Sequence, residues 1–158
     1  MALRLLLASL LAFLAPTAAH AAVTSTGANG ASILITQSKF AKDTKIKVSG
    51  RNFDETVGIY LAYCVVPKKG AMPSPCGGGV NKSGTGEASY WISSNPPPYG
   101  DGLAIPFAPG GRFTEVVAVT RKIGKFDCRK VKCAITVRSD HLHEGDRSHD
   151  IYIPISIK

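Results

Sequence analysis

No stretch of this sequence repeats its apolar residues at the spacing of a helix face, which excludes helical bundles and doubly wound α/β folds at the outset. No run of five like charges marks a nucleic-acid-binding tail, although the net charge is +8. The cysteines lack the C-x-x-C knuckle of a zinc finger. Catalytic signatures are missing as well. Ser139, His141 and Asp140 or Asp146 are the residue types of a hydrolase triad, but they crowd into one short stretch and no G-x-S-x-G elbow surrounds the serine. Gly77-Gly78-Gly79 and Gly84-Thr85-Gly86 lack the strand–loop–helix setting of a phosphate cradle. A non-enzyme is the reading these absences leave.

What is present begins at the N-terminus. A short positive head ends at Arg4, an apolar run over residues 5–15 is broken only by Ser9, and Ala19-His20-Ala21 has the small-x-small form of a cleavage site. The run is too short for a transmembrane segment, so residues 1–21 read as a signal peptide and residues 22–158 as a single secreted domain. In an oxidising compartment an even number of cysteines means bridges. Cys64, Cys76, Cys128 and Cys133 allow three connectivities, and the residues alone leave the choice open; local pairing is the preferred one. A zinc site built from the same four thiols is disfavoured by both spacing and compartment.

Seven segments read as strands: 32–36, 45–48, 57–66, 88–93, 113–120, 133–138 and 151–158. The last alternates most cleanly, with Ile151, Ile153, Ile155 and Ile157 on one face. Pro154 falls on the other face, which places this strand at a sheet edge, at least locally. The expectation is an all-β, immunoglobulin-like, seven-stranded antiparallel sandwich whose two sheets bury their apolar faces against each other. Residues 94–112 are too long for a turn. Their apolar content, with Tyr99, Leu103, Ile105 and Phe107, predicts that they pack on something. Tyr90 and Trp91 read as core and surface aromatics rather than as a platform for stacking bases.

Residues 47–157 resemble the neocarzinostatin family, the small secreted apoproteins that carry enediyne chromophores. Val48-Ser49-Gly50 precedes a long strand ending in the first cysteine. Residues 84–93 are similar to the turn and small-residue strand that follow the family's first disulfide. Asp127-Cys128, a four-residue gap and Cys133 match its second, and Ile135-Thr136-Val137-Arg138-Ser139-Asp140 matches an apolar strand ending in Ser-Asp. The resemblance implies a sandwich with a small disulfide-fixed hairpin subdomain and the bridges Cys64–Cys76 and Cys128–Cys133. It also implies a cleft holding a non-covalent, aromatic, enediyne-type antibiotic chromophore. The cleft floor would be the Cys64–Cys76 bridge and Val66, its walls Phe107, Phe113 and Ser139, and its roof the loop over residues 94–112. The chain would be a monomeric carrier whose antimicrobial, DNA-damaging activity belongs to the cargo. It departs from the family at Val65-Val66, where a tryptophan is common, in a longer first cysteine loop, and in its basic charge, which would let it approach DNA directly.

One cluster has no counterpart in that family. His141, His143 and His149 lie among Asp140, Glu144, Asp146 and Asp150. Imidazole with nearby carboxylate suits zinc or copper; a hydrated loop between the last two strands is the other reading. The alternative function is accordingly a cell-envelope binding module, adhesive or metal-capturing, that keeps the fold without a chromophore.

Overall fold

The computed structural model describes residues 21–77 and 89–158. Residues 1–20 of the signal peptide read over residues 1–21, and the turn read at Gly84-Thr85-Gly86, lie outside the described residues. The described strands are β1 (Val23–Thr26), β2 (Ser32–Ile35), β3 (Lys39–Phe40), β4 (Thr44–Arg51), β5 (Ile59–Val65), β6 (Ser89–Ile92), β7 (Phe113–Val119), β8 (Lys122–Ile123), β9 (Phe126–Asp127), β10 (Cys133–Ser139) and β11 (Ile151–Ile157). They form a four-stranded sheet, β1-β2-β4-β7, a five-stranded sheet, β3-β11-β10-β5-β6, and the small hairpin β8-β9. The seven segments read from the sequence appear as β2, β4, β5, β6, β7, β10 and β11. β1, the short β3 and the hairpin strands carry too few alternating residues to have been seen.

Period-two patterning builds the core between the two sheets. Ile33, Ile35 and Val48 face inwards from the four-stranded sheet, and Leu61, Ile135 and Ile153 meet them from the other. Each fully buried aliphatic side chain contributes roughly 1.5–3 kcal/mol by leaving water. Gly50 and Phe113 are register partners on β4 and β7. A Cβ on Gly50 would collide with the Phe113 ring, so glycine is what lets that ring lie flat across the strand. Phe113 packs on Phe53 at 5.3 Å between ring centroids, and Phe53 stacks on Phe107 at 6.0 Å.

Pro154 sits where its missing N–H costs nothing. On β11 the amides of Ser156 and Lys158 donate outwards to Ser38 and Phe40 of the β3 segment. Pro154 has the same parity, and β3 pairs only with Ser156 and Ile157. The edge expectation thus holds locally, although β3 joins β11 in parallel rather than antiparallel.

Both bridges form as the family resemblance implies, Cys64–Cys76 and Cys128–Cys133. Cys128 directly follows β9, so its bridge ties the hairpin to the start of β10. The intervening turn is pinned by Asp127, whose carboxylate accepts from the Arg129 amide at 3.0 Å and from its guanidinium at 2.9 and 2.6 Å. These bonds hold the Asp127 carboxyl far below the ordinary range.

Tyr63 points from β5 into the core, and its hydroxyl has no hydrogen-bond partner among the described residues. Burial pushes its phenol up to about 12. Tyr152 is also pushed up to about 12, first by burial and then by the neighbouring Asp150. The fold therefore favours the protonated phenols. The stability they confer is intact below the unfolded value of about 10 and is lost as pH rises through their folded values. In an alkaline titration followed by phenolate absorbance, two tyrosines should ionise last. Tyr63→Phe should remove one of those late steps, and denaturant midpoints should fall over the same pH interval.

Candidate functional site

β5 is covered on both faces. Ile59, Leu61 and Tyr63 enter the core, which turns Tyr60, Ala62 and Cys64 to the outer face of the five-stranded sheet. Cross-strand register then sorts that face into rows. Trp91, Tyr60 and Arg138 stand side by side across β6, β5 and β10. Ser89, Ala62 and Thr136 form the next row, and Cys64 the one after it. Large side chains thus border a row of small ones, and the bridge closes the far side.

The roof is the segment that the Cys64–Cys76 bridge brings back over the sheet. Val65 N–H donates to Pro75 O at 3.0 Å and Gly77 N–H to Tyr63 O at 2.7 Å, so Met72, Pro73, Pro75 and Cys76 are held above the small row. A cavity of about 400 Å³ remains between roof and sheet, with Tyr60, Ala62 and Trp91 along its floor and Arg138 and Glu144 at one end. Arg138 is half-buried, with its guanidinium carbon 4.8 Å from the Tyr60 ring centroid and Nη1 donating to Ser139 O at 3.1 Å. Burial lowers the Arg138 pKa and raises that of the Tyr60 phenol.

The end of the cavity near Trp91 is braced by Asp140. This fully buried carboxylate accepts from Trp91 Nε1 at 2.9 Å and from the Leu142 amide at 3.0 Å. Gly58 makes room for it, because a Cβ there would collide with the Asp140 oxygens. The following short 3-10 turn, His141–His143, sets the His141 ring edge-on to Trp91 at 5.0 Å. The hydroxyls of Tyr60 and Tyr99 bond its two nitrogens, at 2.7 Å to Nδ1 and 2.8 Å to Nε2.

The residues expected at the site are distributed as follows. Cys76 lines the cavity and Cys64 anchors the bridge beneath the roof. Val66 does not line it; its amide is drawn away to Lys132 O at 2.9 Å. Phe107 and Phe113 lie in the core with Phe53, because Gly50 and the neighbouring rings offer them an apolar seat. Phe113 also borders a separate cavity of about 510 Å³, shared with Arg51 and Arg112. Ser139 is fully buried and faces His149, since the strand alternation that turns Arg138 outwards turns its neighbour inwards. The loop over residues 94–112 packs as expected but on other ground. Ile105 bonds to both flanks of Ile92, Phe107 enters the core, and Tyr99 stacks on Trp91 at 6.3 Å. It therefore covers the tryptophan rather than roofing the cavity.

The histidines do not converge. His141 has both nitrogens engaged by tyrosines, His143 Nδ1 lies 3.6 Å from Asp140, and His149 Nδ1 meets Asp146 at 3.1 Å. Among the described residues no group of three histidine, cysteine or acidic side chains is placed to hold a metal ion. Nor do Ser139, His149 and Asp146 make a relay. Serine and carboxylate both face the same ring nitrogen, at 3.2 and 3.1 Å, whereas a triad needs opposite ones.

Tyr60, Ala62, Met72, Trp91 and Arg138 line the cavity although the sequence did not mark them as site residues. Alternation along β5, β6 and β10 divides their side chains between two faces, but with both faces covered it does not tell which one lines the cavity. The roof offered no periodic signal.

A two-sheet immunoglobulin-like sandwich with two short-range disulfides and a cavity on the outside of one sheet defines the class of this protein. The structure is similar to that of macromomycin, of the neocarzinostatin family, with a TM-score of 0.53 and 13% sequence identity, covering 81% of this chain and 99% of that chain. No protein-family model matches the sequence, and no curated protein matches it. At this identity the likeness shows the fold. Among the described residues, no helix is long and apolar enough to cross a membrane.

Asp140→Ala should strand the Trp91 and Leu142 donors and cost about 2–3 kcal/mol in denaturant unfolding, with a red shift of tryptophan emission in the folded state. Asp140→Asn, which keeps one acceptor oxygen, should cost less.

Proposed function

We propose that this chain is a secreted, non-enzymatic carrier that holds a small aromatic chromophore non-covalently in the cavity beside the Cys64–Cys76 bridge. The cavity itself carries the reading. Its volume, about 400 Å³, falls within the range of roughly 300–1,000 Å³ typical of small-molecule sites. Its walls suit a flat apolar ligand: Trp91 and Tyr60 offer ring faces, Met72 adapts to shape, and the proline-rich roof loses little entropy on ordering. The likeness to macromomycin and the family resemblance of residues 47–157 support the same role. On this reading any antimicrobial, DNA-damaging activity belongs to the cargo, and the protein contributes shielding from water and thiols. Export through the leader at residues 1–21, a single domain over residues 22–158 and a monomeric state belong to the proposal. The two bridges suit an oxidising compartment.

Trp91 is the only tryptophan in the sequence and lines the cavity, so its fluorescence reports directly on occupancy. Titration with flat aromatic probes should quench or shift that emission. Ala62→Leu, which fills the small row from β5, should weaken binding about tenfold or more, equivalent to about 1.4 kcal/mol, while the unfolding midpoint changes little. A wild-type protein that binds none of the probes would overturn the carrier reading in favour of an envelope module.

A further inference from the structure

Among the described residues the cavity holds one half-buried cation, which is poorly matched to an apolar ligand. Arg138 stands in the same cross-strand row as Tyr60 and Trp91, at the end of the cavity. Burial already disfavours its charge. A charge withdrawn from water is costly unless it meets a counter-charge with good hydrogen bonds. Among the described residues Arg138 forms no ion pair, because the nearby acids are committed elsewhere. Asp150 pairs with Arg147 at 3.3 Å and accepts from the Tyr152 hydroxyl at 3.1 Å. Asp140 spends its two oxygens on Trp91 and Leu142. Glu144 also borders the cavity, but it is exposed and lies beyond ion-pair distance of Arg138.

The guanidinium is nonetheless well positioned. It is held over the Tyr60 ring and fixed by a single hydrogen bond from Nη1 to the Ser139 carbonyl. Its remaining donors, Nε and Nη2, meet no acceptor among the described residues. A planar fork with two adjacent free donors is the geometry that binds a carboxylate in bidentate fashion.

We infer that the ligand of this cavity is an aromatic acid, its rings against Tyr60 and Trp91 and its carboxylate on the Arg138 guanidinium. The inference rests on the carrier reading and deepens it by naming the chemical class of the cargo. A neutral ligand of the same shape leaves Arg138 unpaired. The exposed Glu144 opposes the acid only weakly, because water and salt screen it.

Biphenyl-4-carboxylate and biphenyl-4-carboxamide share a shape and differ in charge. Each would be titrated into the full chain by calorimetry and by Trp91 fluorescence. The carboxylate should bind about tenfold tighter or more at low salt, with the advantage shrinking as salt is added. Arg138→Gln should abolish the preference of the carboxylate over the carboxamide, since the charge-assisted pair is lost. Arg138→Lys should retain part of it. Glu144→Gln, on the exposed rim, should raise carboxylate affinity about two- to threefold by removing a screened like charge. Equal binding of the two probes to the wild type, or a preference that survives in Arg138→Gln, overturns the inference. If the carboxamide binds as well as the acid, the anionic cargo falls and the carrier reading stands; if neither probe binds, both fall.

Discussion

The antiparallel pairing of β5 with β10 is the constraint on which the rest of this structure depends. It runs from Cys133 opposite Val65 to Ser139 opposite Ile59. A slip of one residue would exchange the two faces of a strand. Ile59, Leu61 and Tyr63 would leave the core, and Tyr60, Ala62 and Cys64 would enter it. Core and cavity are thus two consequences of one register. The bridges reinforce it from the same end. Cys64 on β5 holds the cavity roof, and Cys133 on β10 holds the β8-β9 hairpin. Neither joins the two central strands to each other. Each uses the pair as a fixed base for a peripheral segment that has little core of its own.

At the opposite end of the pair, alternation continues into the polar residues. Arg138 faces the cavity, Ser139 turns inwards to His149, and Asp140 reaches back to Trp91. Three consecutive side chains therefore serve three different environments. The Asp140 carboxylate is the sharpest commitment, because it is fully buried and organises both the tryptophan and the start of the 3-10 turn. That turn delivers His141 to the two tyrosine hydroxyls, which links the long loop carrying Tyr99 to the sheet carrying Tyr60. His141 thereby braces the cavity's aromatic row, while His149 bonds Ser139 and Asp146.

The apolar floor, the proline-rich roof and the Arg138 guanidinium, which forms no ion pair among the described residues, meet at one cavity. The aromatic row supplies area without directional demands, and the small row supplies volume. On the proposed reading Arg138 supplies a strong polar preference, in surroundings where a charge interaction is stronger than in water. A site with many polar groups would hold water in competition with a flat ligand; a site with none would not orient it.

The strands were readable from residue order, because alternation along a strand is a local property. Seven of the described strands appear where alternation or runs of apolar and β-branched residues place them, and Pro154 announced its missing donor at a local edge. The cysteine pairing was readable only through resemblance to a family, since spacing alone leaves three connectivities open. The cavity walls were not readable. Residues 59–64 are apolar or aromatic throughout, so nothing in their order tells the core face from the covered outer face. Phe107 and Phe113 are as apolar as any cleft wall, yet they fill the core with Phe53, and Gly50, far before Phe113 in the sequence but opposite it in the sheet, leaves the Phe113 ring room. Which apolar side chains meet each other and which are left to line the cavity depends on contacts between segments far apart in the chain. That division became fixed only when the roof closed over the small row and the core claimed the phenylalanines.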